Sequence, residues 1–108
     1  DAANLTPEHL RRAGGDIDRL TIYGLESRPH FREAILEESG RIDEEKVKAE
    51  VVERSREMAA ADPAIRAILL ECTNLPPYAG AIRDALGLPV YDAVTMISHV
   101  HAALALRW

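Results

Sequence analysis

Apolar residues in the middle of this chain recur at helical spacing. Val47, Val51 and Met58 lie four and seven residues apart, and charged residues fill most positions between them. This period places the three apolar side chains on one side of a helix and the charges on the others. The pattern predicts a long helix over residues 42–61. Pro63 follows closely, and proline cannot continue a helix.

The pattern changes after this helix. Residues 65–70 form an apolar run that predicts a buried strand. A helix is expected over residues 76–86, which start with two prolines, and residues 88–91 predict a further short strand. Asp92 is expected to cap a last helix that runs to about Leu106. Because this last helix is apolar on most sides, we expect it to be well buried.

The first half of the chain predicts one strand among shorter helices. Thr6-Pro7 has the form of a helix start, in which a capping side chain is followed by proline. Residues 20–25 are rich in β-branched and aromatic side chains and predict the first strand. Residues 30–38 predict one or two helical turns.

The predicted order, in which each strand is followed by a helix, indicates the fold class. Such alternation favours a parallel sheet with helices on both faces. We therefore expect an α/β fold with three layers (α/β/α) around a small parallel sheet of three strands. Residues 1–108 are expected to form a single domain.

Composition and charge restrict the functions that this chain can have. Hydrophobic residues make up 47% and charged residues 29% of the 108 residues, as in soluble globular proteins. The net charge of −5 argues against a nucleic-acid-binding surface. No apolar run reaches the roughly 18 residues of a membrane span. A single cysteine excludes an internal disulfide and a metal site with several cysteines, and it fits a cytoplasmic protein.

The single cysteine, Cys72, has the most informative position. It follows the predicted strand at residues 65–70 and precedes the predicted helix at residues 76–86. Open α/β sheets bind ligands at the carboxyl ends of their strands, and the N–H groups at a helix start stabilise a thiolate. We therefore predict that Cys72 is a nucleophile or a proton-transfer base. The alternative is a small packed side chain without a chemical role.

Five polar residues near the predicted strand ends are candidates for substrate binding. Thr73 and Asn74 are expected to cap the helix that follows and also to donate hydrogen bonds to a bound carboxylate. Asp92 follows the third predicted strand, where a helix cap is the simpler role. Ser27 and Arg28 follow the first predicted strand. Arg28 is suited to pair with a carboxylate, and a solvated loop arginine is an equal alternative.

Two segments at the predicted strand ends resemble a known family. They are Glu71-Cys72-Thr73-Asn74-Leu75-Pro76-Pro77-Tyr78 and Leu88-Pro89-Val90-Tyr91-Asp92. Both are similar to the carboxyl-terminal half of the aspartate/glutamate racemase superfamily (Asp/Glu/hydantoin racemase-like). The resemblance implies two similar α/β domains, each with one cysteine in the cleft between them, of which this chain would be the second. It also implies that no metal or pyridoxal cofactor takes part.

On this resemblance, the intact protein is expected to be a cofactor-independent amino-acid racemase or isomerase. Cys72 would be the general acid or base at the carbon next to a carboxylate, and Thr73 and Asn74 would hold that carboxylate. The other domain and its cysteine lie outside these 108 residues, so the chain alone is expected to be inactive. Two alternatives stay open: a decarboxylase or isomerase with a single cysteine, and a non-catalytic interaction or structural domain.

Two expectations concern partners. Apolar surface should be exposed where the missing amino-terminal domain would pack, and we therefore predict a homo-oligomer. No metal site is expected, because His99 and His101 lie two residues apart and face different sides of a helix.

Overall fold

The computed structural model describes residues 1–105 and divides the chain into two compact units. The first unit comprises Asp1–Arg54 and the second begins at Ser55, so the boundary falls inside one long helix. Residue 106, where the last helix was expected to end, lies outside the described residues. That residues 1–108 form a single domain stays a prediction.

The first unit begins with a capped helix, as the sequence predicts. Helix α1 spans Pro7–Arg12, after a single 3-10 turn at Ala2–Asn4. The Thr6 hydroxyl accepts a hydrogen bond from the backbone N–H of His9 at 3.3 Å, and the Thr6 N–H donates to His9 Nδ1 at 3.2 Å. This reciprocal pair satisfies two donors that a helix start otherwise leaves free.

The predicted first strand is wrong. Within the described residues, the segment 20–25 joins no ladder, and a 3-10 turn at Ile17–Arg19 precedes it. The segment is held instead by Arg54, whose Nε donates to the Gly24 carbonyl at 3.0 Å and whose guanidinium lies 4.5 Å from the centre of the Tyr23 ring. Aromatic and β-branched residues fit any half-buried extended segment, and here side chains replace a neighbouring strand.

A buried carboxylate anchors the next helical segment. Helix α2 spans Pro29–Phe31 and widens into a π-helical turn at Arg32–Leu36, where the sequence predicted helical turns. Glu50 accepts the backbone N–H groups of His30 and Phe31 at 3.0 and 2.8 Å. Both Glu50 and Phe31 are buried. The carboxylate thus supplies the partners that the first N–H groups of α2 lack within their own helix.

Helix α3 spans Glu44–Ala61 and confirms the long helix predicted from hydrophobic period. Val47 and Val51 are buried on its inner side. Asp43 Oδ1 accepts the backbone N–H of Lys46 at 3.2 Å, which caps the helix start.

The second unit contains a parallel sheet of two strands. Strand β1 (Ile68–Leu69) pairs with β2 (Val90–Tyr91) in the register Ile68 to Val90 and Leu69 to Tyr91. Ile68 and Val90 are buried, whereas Leu69 and Tyr91 are 72% and 55% exposed. The parallel α/β arrangement is therefore confirmed. The third predicted strand does not occur within the described residues. The three-layer architecture is not confirmed either, because one face of this sheet is open.

Helix α4 follows β1 and covers the buried face. The chain enters it through a 3-10 turn at Pro76–Tyr78, and α4 then spans Ala79–Leu86 with Ile82 fully buried. Gly87 ends it in the left-handed conformation at a φ of 64°. A residue with a side chain would be strained there, so this C-cap follows from the sequence.

Helix α5 spans Ala93–Ala105, as predicted, but it is not buried. None of its residues is buried, and Ile97 and Leu104 are 62% and 81% exposed. The expectation of burial was wrong because an apolar composition does not show which surface covers a helix. The described residues do not provide such a surface for α5. Within residues 1–105, no helix is both long enough and apolar enough to cross a membrane.

We expect Glu50→Ala to lower the free energy of unfolding by about 2–3 kcal/mol, because two N–H groups lose their partner. Urea unfolding of the intact protein measures this loss. Glu53→Ala is the matched control, since it removes only the exposed ion pair with Arg28. That control should cost less than about 1 kcal/mol. Equal effects of the two variants would contradict the anchoring role of Glu50.

Glu26 should make stability depend on pH. Its own backbone N–H, and then that of Ala2, lower the pKa of the Glu26 carboxyl below its ordinary value of 4.5. The charged form therefore stabilises the fold fully above pH 4.5, and this contribution is lost as the pH falls through the lower folded-state pKa. In urea unfolding, the wild type should exceed Glu26→Gln in stability at pH 6, and the difference should shrink towards pH 3. A difference that stays constant would contradict this.

Candidate functional site

The Cys72 thiol lies in the loop between β1 and the 3-10 turn that leads into α4. The loop begins just after Leu69, and the backbone N–H of Leu75 closes it by donating to the Cys72 carbonyl at 3.1 Å. Cys72 is half-buried and its thiol is free. The structure thus places it after the carboxyl end of a parallel strand and before a helix, as the sequence predicts. The predicted stabilisation of a thiolate by free N–H groups of the helix start is wrong, because Pro76 and Pro77 carry no N–H and the Tyr78 N–H donates to the Leu75 carbonyl.

The predicted capping role of Thr73 and Asn74 is wrong. The N-cap residue is Leu75, and it makes no side-chain capping bond. Pro76 and Pro77, which follow, carry no N–H, and the Tyr78 N–H donates to the Leu75 carbonyl at 2.9 Å, so the first turn leaves no donor for a capping side chain. Within residues 1–105, neither Thr73 nor Asn74 makes a hydrogen bond. Their exposed hydroxyl, amide and backbone N–H groups are therefore available to a ligand.

Asp92 caps α5, as predicted. Its Oδ1 accepts the backbone N–H of Thr95 at 2.7 Å, and its own N–H donates to Thr95 Oγ1 at 2.8 Å. The residue is only 6% exposed. Its backbone groups and Oδ1 are engaged with α5, and no further partner of the carboxylate occurs within the described residues. One oxygen, Oδ2, thus keeps its full capacity to accept.

A shallow, open groove on the second unit brings two of the predicted residues together. It is lined by Thr73 and Asp92, with Pro76, Pro77, Arg83 and Val94. Most of its surface is apolar. Cys72 precedes Thr73 directly in the chain, so the thiol belongs to the loop at the border of this groove.

Arg83 is a lining residue that the sequence analysis missed. It lies in the last turn of α4 and is exposed. Pro76, Gly80 and Arg83 follow at spacings of four and three, which puts them on one helix face. That face begins at the Cys72 loop, and this spacing was the available signal. With Asp92, Arg83 gives the groove one positive and one negative side chain.

Ser27 and Arg28 lie in the first unit. Ser27 is exposed, and the Arg28 guanidinium donates to Glu53 Oε2 at 3.2 Å. Arg28 is thus already paired with a carboxylate of its own unit. A role for either residue in substrate binding stays a prediction.

The described residues contain no group of three His, Cys, Asp or Glu side chains that could hold a metal ion. The groups available for chemistry in the loop and groove are the Cys72 thiol and the donors of Thr73 and Asn74. A free thiol can accept or donate a proton once it ionises, and open N–H and O–H donors can hold a carboxylate. This arrangement suits proton transfer at a carbon that carries a carboxylate.

The known proteins that this chain matches are named as dimethylsulfoniopropionate lyases. Dimethylsulfoniopropionate lyase 5 of Emiliania huxleyi (strain CCMP1516) is 48% identical over 62 residues, which cover 57% of this chain and 12% of that protein. Dimethylsulfoniopropionate lyase of Durusdinium sp. clade D is 49% identical over 53 residues, covering 49% and 18%. Dimethylsulfoniopropionate lyase 7 of Emiliania huxleyi (strain CCMP1516) is 44% identical over 90 residues, covering 80% and 26%.

These matches span between 12% and 26% of the length of the relatives. An alignment that covers 80% of a 108-residue chain includes residue 72 wherever it starts, so the Cys72 loop lies inside the similar stretch. No family model matches the chain. No solved structure matches it either.

The predicted membership of the aspartate/glutamate racemase superfamily is therefore wrong, and so is the predicted racemase activity. The relatives are named as lyases, and the comparisons contain no support for a racemase. The physical reason is that a thiol after a strand end suits any enzyme that removes a proton beside a carboxylate. By sequence, this chain is similar to part of the dimethylsulfoniopropionate lyases of Emiliania huxleyi and Durusdinium.

Proposed function

We propose that the intact protein is a carbon–sulfur lyase that cleaves dimethylsulfoniopropionate or a closely related sulfonium carboxylate. The observation that carries this proposal is the similarity to dimethylsulfoniopropionate lyases across a stretch that includes the Cys72 loop. The half-buried thiol and the unoccupied donors beside it fit the chemistry that such a lyase needs.

The reaction is a β-elimination. The Cys72 thiolate removes a proton from C2 of the substrate, next to the carboxylate, and becomes a thiol. The electron pair of that C–H bond forms the C2=C3 double bond, and the C3–S bond breaks. Its electrons leave with sulfur, which departs as neutral dimethyl sulfide, so acrylate remains. Water then takes the proton from Cys72, which restores the thiolate, and no oxidant or reductant is needed.

The donors beside Cys72 lower the barrier to this proton transfer. Negative charge shifts onto the substrate carboxylate as the C2–H bond breaks. Thr73 and Asn74 present hydroxyl, amide and backbone N–H groups without partners in the described chain. We assign them to the carboxylate, where hydrogen bonds strengthen as the charge grows.

Elimination at C2 needs only one proton-transfer group, and the free Cys72 thiol is suited to be that group. Racemisation needs an acid on the opposite face of the carbon to return a proton. In an elimination the sulfur leaves with the electrons of the C3–S bond, so no second acid is required. Of the two alternatives that the sequence left open, the decarboxylase or isomerase with a single cysteine fits the relatives better than the non-catalytic domain does, since the relatives are named as lyases.

We expect Cys72→Ser to reduce dimethyl sulfide release by the intact protein at least about 1,000-fold, because a serine hydroxyl hardly ionises at neutral pH. Gas chromatography of the headspace measures the product. Glu71→Gln is the matched control, since it removes an exposed acid adjacent in sequence and should retain most activity. Unchanged activity of folded Cys72→Ser would contradict the assignment.

We further propose that α5 pairs with α5 of a second copy. The helix contains no Asp, Glu, Lys or Arg, in a chain of which 29% is charged and whose net charge is −5. Two copies can therefore meet here without bringing like charges together. Ile97, Val100 and Leu104 are exposed at spacings of three and four, the pattern of a helix-pairing seam.

The double substitution Ile97→Glu and Leu104→Glu should convert the proposed dimer into monomers, because it places charges between the two paired α5 helices. Light scattering after size-exclusion chromatography measures the mass. Ile42→Glu is the control, since Ile42 is an exposed apolar residue outside α5. A wild-type mass of one chain at every concentration would contradict the pairing.

A further inference from the structure

The Asp92 carboxylate has one oxygen, Oδ2, that its capping role does not use. Thr95 engages Oδ1 only, and no partner for the second oxygen occurs within residues 1–105. The residue is nevertheless 94% removed from solvent, since its exposed fraction is 6%. A carboxylate that is mostly shielded from solvent interacts more strongly with a cation than a fully exposed one does, because less water competes for it.

The surroundings of Asp92 favour a cation with an apolar surface. Besides the exposed Arg83, the groove is lined by Pro76, Pro77 and Val94. These three apolar side chains offer no hydrogen-bond donors or acceptors to a strongly hydrated ammonium ion. They do suit a sulfonium, whose positive charge is surrounded by methyl groups that bury well against carbon.

The groove therefore matches the two ends of a sulfonium carboxylate. Asp92 supplies the negative charge, and Thr73, on the same groove, adjoins the thiol. We propose that Asp92 binds the dimethylsulfonium end of the substrate and thereby sets the preference for a cationic leaving group. This inference rests on the lyase function proposed above and adds a specificity-determining residue to it.

The sign of the kinetic effect follows from the reaction. The positive charge on sulfur disappears as the C3–S bond breaks, so the pairing with Asp92 is strongest in the bound substrate. An interaction stronger with the substrate than with the transition state lowers KM without raising kcat. Removal of the Asp92 charge should therefore raise KM for dimethylsulfoniopropionate by roughly 10-fold or more, and kcat should not fall.

Asp92→Asn separates this role from the cap. Asparagine caps a helix as well as aspartate does, because its side-chain oxygen still accepts the Thr95 N–H. The neutral probe is 4-methylpentanoate, in which a carbon replaces the sulfonium sulfur and the shape is kept. In the intact protein, Asp92→Asn should raise KM for dimethylsulfoniopropionate and leave the inhibition constant of 4-methylpentanoate unchanged. Asp84→Asn, an exposed carboxylate of α4, should change neither.

The outcomes are distinguishable. If the wild type releases no dimethyl sulfide, the lyase function is overturned and this inference falls with it. If the wild type is active and Asp92→Asn has an unchanged KM, Asp92 is only a cap and the inference alone is overturned. Equal weakening of substrate and neutral inhibitor would also overturn it, because that result reports a change of groove shape and not of charge.

Discussion

The parallel pairing of β1 and β2 is the constraint on which the candidate site depends. Ile68 N–H donates to the Pro89 carbonyl at 2.9 Å, and Leu70 N–H donates to the Tyr91 carbonyl at 2.8 Å. Parallel pairing places both carboxyl ends at one edge. Residues that lie 20 positions apart, Cys72 and Asp92, therefore both emerge from that edge. The ladder is short, so its few hydrogen bonds define the relative position of the two loops.

The elements that could be predicted are those whose causes are local. The spacing of Val47 and Val51 and the capping sequence at Thr6 determine α3 and α1 through neighbouring residues alone. The segment 20–25 could not be predicted, because its conformation depends on Arg54, about thirty residues later. The exposure of α5 is likewise set by what lies against it, and composition does not report that.

The candidate site shows the same division. The position of Cys72 follows from a strand, a loop and a proline pair that adjoin in sequence. The lining of the groove by Arg83 and Asp92 depends on how α4 packs beside β2. The activity was mispredicted because proton removal beside a carboxylate is common to racemases and eliminating lyases. The substrates of the two classes differ in the substituent on the next carbon, and the position of a thiol does not indicate what that substituent is.

The proline pair before α4 has a consequence for anion choice. Helix starts commonly attract phosphate because several N–H groups converge on it. Pro76 and Pro77 remove two of these groups, and the Tyr78 N–H is engaged with the Leu75 carbonyl at 2.9 Å. The donors that remain at this end belong to the preceding loop, at Thr73 and Asn74. The entrance to α4 thus lacks the converging N–H groups with which other helix starts bind phosphate.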